Sequence, residues 1–254
     1  MERIEVSNIK INPVQIPQVI KIMSNWINEK SFGNYIVIAN AYDFFCGIKS
    51  KVIRESMNSS SLTVPDGFSL LLFCRLYGYP LKKRVCGPDL MAKFLEFSQK
   101  RGYSHFFYGS TEKVLQKLEQ NIRKTYPKIR IVGKFSPPFR NLTSEEKANI
   151  IEMINHSKTD VLWVGLGCPK QQLWMYENRD KIHVPIMLGV GAAFDFLANT
   201  KPRAPKWMQD KGLEWLFRLT REPQRLWSRY LVGNIIFVGI LLKELVKKII
   251  GYKD

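Results

Sequence analysis

The chain has 254 residues, 45% of them hydrophobic, which excludes an intrinsically disordered protein and allows a sizeable buried core. Its formal net charge is +17, with 39 Lys and Arg against 22 Asp and Glu. This excess predicts a polyanionic partner: a diphosphate-bearing substrate, an anionic membrane surface or a nucleic acid. The cysteines and histidines are scattered and suggest neither disulfides nor a metal cluster. Because the N-terminus lacks a signal-peptide pattern, we expect a cytoplasmic protein.

From residue 35 onward, apolar strands alternate with short glycine-containing loops and helices. The first predicted strand is Tyr35–Ala39, and the second ends at Tyr108, before the loop Gly109-Ser110-Thr111 and an amphipathic helix. A capping-box pattern at Thr143 and Glu146 opens a further helix, and VLWVG and PIMLG are the third and fourth strands. This alternation predicts an α/β fold: a Rossmann-like, mostly parallel sheet covered by helices, with ligands bound at the carboxyl ends of the strands.

Two Gly-x-Gly elements follow predicted strands, Gly165-Leu166-Gly167 and Gly189-Val190-Gly191. A dinucleotide fingerprint needs a third glycine, and Lys170 and Phe194 occupy those positions, so these motifs give a nicotinamide- or flavin-dependent oxidoreductase no support. Each element either lets the backbone approach a phosphate or simply makes a tight turn. We place Gly109 and Gly167 among the expected substrate-binding residues.

The segment VPDGFSLL places Asp66 in a Pro-Asp-Gly turn between two apolar runs. Turn chemistry alone explains such a tripeptide, because proline presets φ, aspartate caps its own backbone and glycine accepts positive φ. These residues by themselves leave open whether Asp66 also has a chemical role.

The composition changes near residue 200, so we divide the chain into an α/β core, residues 1–200, and a basic, aromatic-rich C-terminal appendage, residues 201–254. The appendage holds 12 Lys and Arg against 5 Asp and Glu. Its apolar run Leu231–Leu242 is shorter than the ~20 residues that a membrane-spanning helix needs. It fits an amphipathic helix in the membrane interface, or a helix packed on the core or on another copy in a homo-oligomer.

No Asp-x-Asp motif occurs in the chain. Glycosyl transfer from sugar nucleotides often uses that pair to hold a divalent cation against the diphosphate. Without it, cationic side chains and helix termini must stabilise the leaving diphosphate, and Arg84 and the arginines of the appendage are candidates. The common alternative for any one of these arginines is a solvated surface charge.

Four segments carry a resemblance to a known family: VPDGFSLL, RVCGPDLM, GLGCPKQQLW and GVGAAFDFLANTKPRAPKWMQDKGLEWLFRLTREPQRLWSRYL. In order and spacing they closely resemble the WecG/TagA/CpsF family of bacterial glycosyltransferases, over nearly all of the chain from residue 35 to residue 240. The resemblance implies an inverting transferase that needs no metal ion or other cofactor. Its members move an N-acetylmannosamine-type sugar from UDP to C4 of GlcNAc on undecaprenyl diphosphate, for teichoic acid linkage units or other surface polysaccharides. N-acetylmannosamine uronate and glucose are alternative donors among relatives.

The resemblance also implies roles for single residues. Asp66 matches the proposed catalytic base of the family, and Arg84 matches an arginine near the diphosphate. Asn40 and Gln171 match residues of the substrate pocket, and Asp195 is a candidate for nucleotide binding. The structural alternatives are a turn residue for Asn40, a helix N-terminal residue for Gln171 and a helix cap for Asp195. The chain departs from the family pattern twice: Ile38 replaces a threonine, and Gln172 replaces a glutamate.

In this family the appendage is associated with membrane targeting and with closure of the active site. Pro223 is expected to separate two helices. The arginines that we expect to face a lipid diphosphate or an anionic membrane on the inner face of the cell membrane are Arg203, Arg218, Arg221, Arg225 and Arg229. A basic nucleic-acid-binding protein is a much weaker alternative that rests on charge alone, because no nucleic-acid motif occurs, and we expect no nucleic-acid partner.

Overall fold

Six strands form the central sheet of the computed structural model, which describes residues 2–250 except the side chains of Arg229, Val232, Asn234 and residues 247–250. In chain order, a short antiparallel hairpin comes first and the six sheet strands follow: β1 (Ile4–Val6), β2 (Ile9–Ile11), β3 (Asn34–Ala39), β4 (Leu62–Pro65), β5 (Ser104–Gly109), β6 (Arg130–Phe135), β7 (Val161–Gly165) and β8 (Ile186–Gly189). Across the sheet the order is β4-β3-β8-β7-β5-β6, and each neighbouring pair is parallel.

The described helices, again in chain order, are α1 (Ile16–Asn28), α2 (Ala41–Lys49), α3 (Lys51–Asn58), α4 (Phe68–Leu76), α5 (Gly87–Gln99), α6 (Glu112–Thr125), α7 (Ser144–His156), α8 (Lys170–Asn178), α9 (Ala193–Leu197), α10 (Lys206–Asp210), α11 (Glu214–Arg221) and α12 (Pro223–Ile250).

Two separate hydrophobic clusters cover the two faces of the sheet. Along β3, Ile36 and Ile38 point into one cluster, while Tyr35 and Val37 point into the other, as the two-residue period of a strand requires. Helices α1, α5, α6 and α9 pack on the first face, and α2, α4, α7, α8 and part of α12 pack on the second. The predicted α/β fold with a doubly covered parallel sheet is therefore confirmed.

The predicted strands and the capped helix are also found. The Thr143 hydroxyl accepts a hydrogen bond from the Glu146 N–H at 3.2 Å, and the Glu146 carboxylate accepts one from the Thr143 N–H at 2.8 Å. The pattern did not predict the hairpin strands β1 and β2 or the buried edge strand β4. It also missed β6, the strand at the opposite edge of the sheet, whose residues are exposed or half-buried. Such a strand lacks the continuous apolar run of a central strand.

The appendage contains α10, α11 and α12, and Pro223 separates the last two helices as expected. The run Leu231–Leu242 lies inside α12, whose buried Phe237 packs edge-on against Phe73 of α4, with ring centroids 4.6 Å apart. One face of α12 is therefore packed on the core, which was one of the two alternatives. Among the helices described, α12 included, none has the length and apolarity to cross a bilayer.

Candidate active site

A cavity of about 700 Å³ lies at the carboxyl ends of β3, β4, β7 and β8, the edge where parallel sheets bind ligands. The loops that follow these strands form its floor. Helices α11 and α12 of the appendage close it on one side and contribute Glu214, Trp215, Arg218, Arg225, Tyr230, Phe237, Val238 and Leu241.

Asp66 follows β4 directly and lies in this cavity. Its N–H donates a hydrogen bond to the carbonyl of Ala39 at 2.7 Å, which ties the end of β4 to the end of β3. Gly67 has φ of +91° and precedes the first residue of α4, so the glycine supplies a backbone conformation that an L side chain rarely adopts. The Pro-Asp-Gly turn thus has its structural role and also places a carboxylate in the cavity.

Three charged side chains act on the Asp66 carboxylate, which is 20% exposed: Arg84, Glu214 and Asp43. Its Oδ1 accepts a hydrogen bond from Nη1 of Arg84 at 3.1 Å, and Nη2 of Arg84 donates to Glu214 of α11. Burial raises the pKa of Asp66; Arg84 opposes the rise, and the negative charges of Glu214 and Asp43 add to it. A carboxylate with a raised pKa is a stronger base than a solvated one.

Asn40 lines the cavity as the N-cap of α2. Its Oδ1 accepts hydrogen bonds from the N–H groups of Tyr42 at 2.9 Å and Asp43 at 3.4 Å, and its own N–H donates to Asp43 Oδ2 at 2.9 Å. Asn40 therefore caps a helix and is not merely a turn residue. Asn40 also lines the cavity, and a substrate contact of its side chain stays a prediction.

Gln171 joins two loops at the floor of the cavity. Its Oε1 accepts hydrogen bonds from the N–H of Gly167 at 3.1 Å and from the N–H of Gly191 at 3.0 Å. Because Oε1 must face these two donors, the amide orientation is fixed. A ligand contact of Gln171 stays a prediction. The neighbouring Gln172 is fully buried and donates to Asp43, a bond that an ionised glutamate at this position cannot make.

Gly109 does not line the cavity, although the next residue, Ser110, does. A Cβ on Gly109 would stand 2.7 Å from the carbonyl carbon of Gly165 on β7, and φ is +116°, so close strand packing accounts for this glycine. Asp195 of α9 lines the cavity and its Oδ1 accepts a hydrogen bond from the Thr200 hydroxyl at 3.3 Å. Substrate contacts of Gly109 and Asp195 stay predictions.

The structure separates the predicted arginines of the appendage. Arg218 and Arg225 line the cavity; Arg221 does not, and its guanidinium stacks over the Phe217 ring. Arg203 also lies outside the cavity lining and makes a two-pronged pair with Asp89 of α5, at 2.6 and 3.0 Å. The side chain of Arg229 is outside the described residues.

Sequence reasoning missed four charged residues of the described cavity lining: Asp43, Lys201, Lys211 and Glu214. Lys201 and Lys211 add positive charge to the lining, and Glu214 binds Arg84. Residue type gave no signal for them, because lysines and acidic residues are abundant on any helical surface. Within the described part of the chain, no three His, Cys, Asp or Glu side chains form a group that could hold a metal ion, and metal independence stays a prediction.

The profile of the glycosyl transferase WecG/TagA/CpsF family matches residues 4–250. The chain belongs to this family. It is therefore a glycosyltransferase, and the cavity at the end of its sheet, with a carboxylate and several cations, is the candidate active site of a WecG/TagA/CpsF enzyme.

Curated relatives span nearly the same length. A protein of Bacillus subtilis strain 168 is 26% identical over 98% of this chain and 94% of its own length. One of Bacillus spizizenii is 27% identical over 80% of this chain and 77% of its own, and one of Staphylococcus aureus strain MW2 is 24% identical over 93% and 89%. All three are named N-acetylglucosaminyldiphosphoundecaprenol N-acetyl-beta-D-mannosaminyltransferase.

Proposed function

We propose that this WecG/TagA/CpsF enzyme transfers N-acetylmannosamine from a UDP-sugar to C4 of GlcNAc on undecaprenyl diphosphate, with inversion and without a metal ion. The reaction would serve teichoic acid linkage units or another surface polysaccharide. The observation that carries the proposal is the Asp66 carboxylate, which lies in the cavity at the end of β4 with a pKa raised by burial. The names of the relatives supply the sugar and the acceptor.

Inversion requires a single displacement, for which one base on the acceptor side suffices. Asp66 takes the proton of the acceptor hydroxyl, whose oxygen forms the new bond to the anomeric carbon as the bond from that carbon to the diphosphate breaks. The electron pair leaves with UDP. Besides Arg84, four cationic side chains among the described residues line the same cavity and would stabilise this charge: Lys201, Lys211, Arg218 and Arg225.

The described residues of the cavity specify the donor sugar less closely than they specify the base. N-acetylmannosamine uronate and glucose remain alternative donors, because the cavity lining holds cations that suit the diphosphate and a sugar carboxylate alike. The panel of donors below decides among them.

We also propose that α12 rests on an anionic membrane, which presents the lipid-linked acceptor at the inner face. The support is a stripe of apolar side chains on the outer face of α12, each between 49% and 69% exposed, which recur at intervals of three or four residues. This outer stripe consists of Trp227, Leu231, Ile235, Val238, Leu242 and Val246. Val238 also lines the cavity, so the outer stripe is continuous with the cavity mouth.

The first experiment measures transfer from a panel of UDP-sugars to a short-chain GlcNAc-diphosphate lipid, with EDTA present. We expect one donor to be used, with unchanged turnover in EDTA and a loss of about 10²–10⁴-fold in Asp66→Asn. The matched control is Asp210→Asn, because Asp210 belongs to an exposed ion pair with Lys206 and does not line the cavity. Equal turnover by Asp66→Asn and wild type would remove the base assignment, and turnover lost in EDTA would remove metal independence.

A further inference from the structure

Glu214, the first residue of α11, sits between two arginines. Its side chain is 8% exposed; one oxygen accepts a hydrogen bond from Nη2 of Arg84, and the other lies 3.5 Å from Nε of Arg203. With the pairs that these arginines make to Asp66 and Asp89, the result is a line of five alternating charges. We call it the carboxylate–arginine chain, and it comprises Asp66, Arg84, Glu214, Arg203 and Asp89.

The two arginines of this chain pair in different ways. Arg203 grips Asp89 with two nitrogens, at 2.6 and 3.0 Å, which is the strong two-pronged geometry of a guanidinium and a carboxylate. Arg84 instead divides its nitrogens, giving Nη1 to Asp66 at 3.1 Å and Nη2 to Glu214. Asp66 therefore shares the charge of Arg84 with a second carboxylate, which the appendage supplies.

We propose that Glu214 is a positioning residue for glycosyl transfer: it holds Nη2 of Arg84 and offsets the charge of this arginine, so that Asp66 receives one hydrogen bond from Arg84 and remains basic enough to deprotonate the acceptor. This proposal rests on the proposed function, in which Asp66 is the base. Without Glu214, the positive charge of Arg84 would act on Asp66 alone and would make Asp66 a weaker base. The appendage, which lines one side of the cavity, thereby prepares the base for the reaction.

Other groups near Asp66 do not replace this effect. Asp43 on α2 adds a negative charge, but it belongs to the core and is present whatever the appendage does. Cys86, next to α5, is buried and its thiol pKa is raised well above the usual range, so it stays neutral. Glu214 and Asp43 are thus the two carboxylates that raise the pKa of Asp66, and of these two Glu214 belongs to the appendage.

The test is the pH dependence of kcat/KM for wild type, Glu214→Gln, Glu214→Asp and the control Asp210→Asn. Activity falls as pH drops through the pKa of the base, because the base must be ionised. Removing the charge of Glu214 lowers the pKa of Asp66, so we expect the acidic limb of Glu214→Gln to move down by about one pH unit. The weaker base should also lower the plateau of kcat about 10-fold, with little change in KM.

The shorter carboxylate of Glu214→Asp keeps the charge but reaches Arg84 less well, so its acidic limb should lie between those of wild type and Glu214→Gln. The limb of Asp210→Asn should coincide with that of wild type. Thermal unfolding shows whether Glu214→Gln folds. If it does not, the intermediate position expected for the acidic limb of Glu214→Asp tests the same proposal.

An acidic limb that stays at the wild-type position in both Glu214 variants overturns the proposal, whatever happens to the rate, because a merely structural role does not move it. The double variant Asp66→Asn/Glu214→Gln provides a second test. Its rate should equal the residual rate of Asp66→Asn, because Glu214 acts through Asp66. Failure of the proposed function has a different signature: no turnover by wild type, or full turnover by Asp66→Asn.

Discussion

The carboxyl edge of the sheet and the appendage line the same cavity in different ways. At the sheet edge, Asn40 and Gln171 each accept two backbone hydrogen bonds, and the N–H of Asp66 is tied to β3. The appendage contributes long cationic side chains such as Arg218, which stacks over Phe196, and Arg225, which pairs with Glu222. The rigid edge therefore fixes the geometry of the reaction, and the appendage supplies charge and apolar surface for a large lipid-linked substrate.

The carboxylate–arginine chain is where the two regions meet, so cutting it at Arg84 should have the largest effect. In Arg84→Met, Asp66 loses the hydrogen bond that orients its carboxylate, and Asp66 and Glu214 repel each other without their shared cation. The pKa of Asp66 then rises further, so a larger fraction of the base is protonated and inactive near neutral pH. We expect activity at pH 7 to fall about 10²-fold or more and the free energy of unfolding to fall by about 2–4 kcal/mol. Steady-state kinetics and urea unfolding measure the two effects.

Arg123→Met is the control for this variant, because Arg123 is half exposed and pairs with Glu119 on the surface of α6. Its unfolding free energy should change by less than about 1 kcal/mol. Wild-type activity in Arg84→Met would mean that the two regions do not communicate through this arginine.

Packing between the regions should give the next largest effect. Phe237 is 4% exposed and joins α12 to Phe73 of α4, so Phe237→Ala should lower the free energy of unfolding by about 3–4 kcal/mol. Ile235→Ala, on the outer face of the same helix where Ile235 is 69% exposed, should change it by less than about 0.5 kcal/mol. Urea unfolding measures both variants. Equal stability would show that packing of Phe237 against the core does not stabilise the position of α12.

The outer stripe should give the smallest effect on the protein itself. Ile235→Lys should leave the free energy of unfolding within about 0.5 kcal/mol of wild type, because the side chain is largely exposed. Binding to vesicles that contain anionic lipid should weaken about 10-fold, because loss of an isoleucine from the interface costs about 1.5–3 kcal/mol and attraction of the new lysine to anionic lipid offsets about 1 kcal/mol of it.

Co-sedimentation with vesicles measures this affinity. Val132→Lys on β6 is the matched control, because Val132 is also exposed but lies on the edge strand of the sheet, away from the outer stripe. Equal vesicle binding by both variants would contradict the role of the outer stripe.

The sequence predicted the sheet edge better than the contacts of the appendage. The strands β3, β5, β7 and β8 are almost entirely buried, so their sequences are short continuous apolar runs. Such runs can be recognised from the sequence alone. Asp66 stands out because a Pro-Asp-Gly turn and a family motif coincide there. These are local signals, carried by neighbouring residues.

Glu214 carries no local signal, because its partner Arg84 is 130 positions away and a glutamate at the start of a helix is ordinary. The same reason explains Arg203, which we expected near a lipid diphosphate and which the structure pairs with Asp89, 114 positions away. Long-range ion pairs follow from the fold and not from the pattern of nearby residues.

The place of β8 has a consequence for synthesis of the chain. β8 lies between β3 and β7, and its residue Ile186 pairs with Asn34 of β3. The sheet therefore stays in two parts, β4-β3 and β7-β5-β6, until residue 189 has left the ribosome. Until then both parts expose unpaired strand edges that favour aggregation. The cavity draws residues from both parts, so a nascent chain acquires its active site only after the last strand has been inserted.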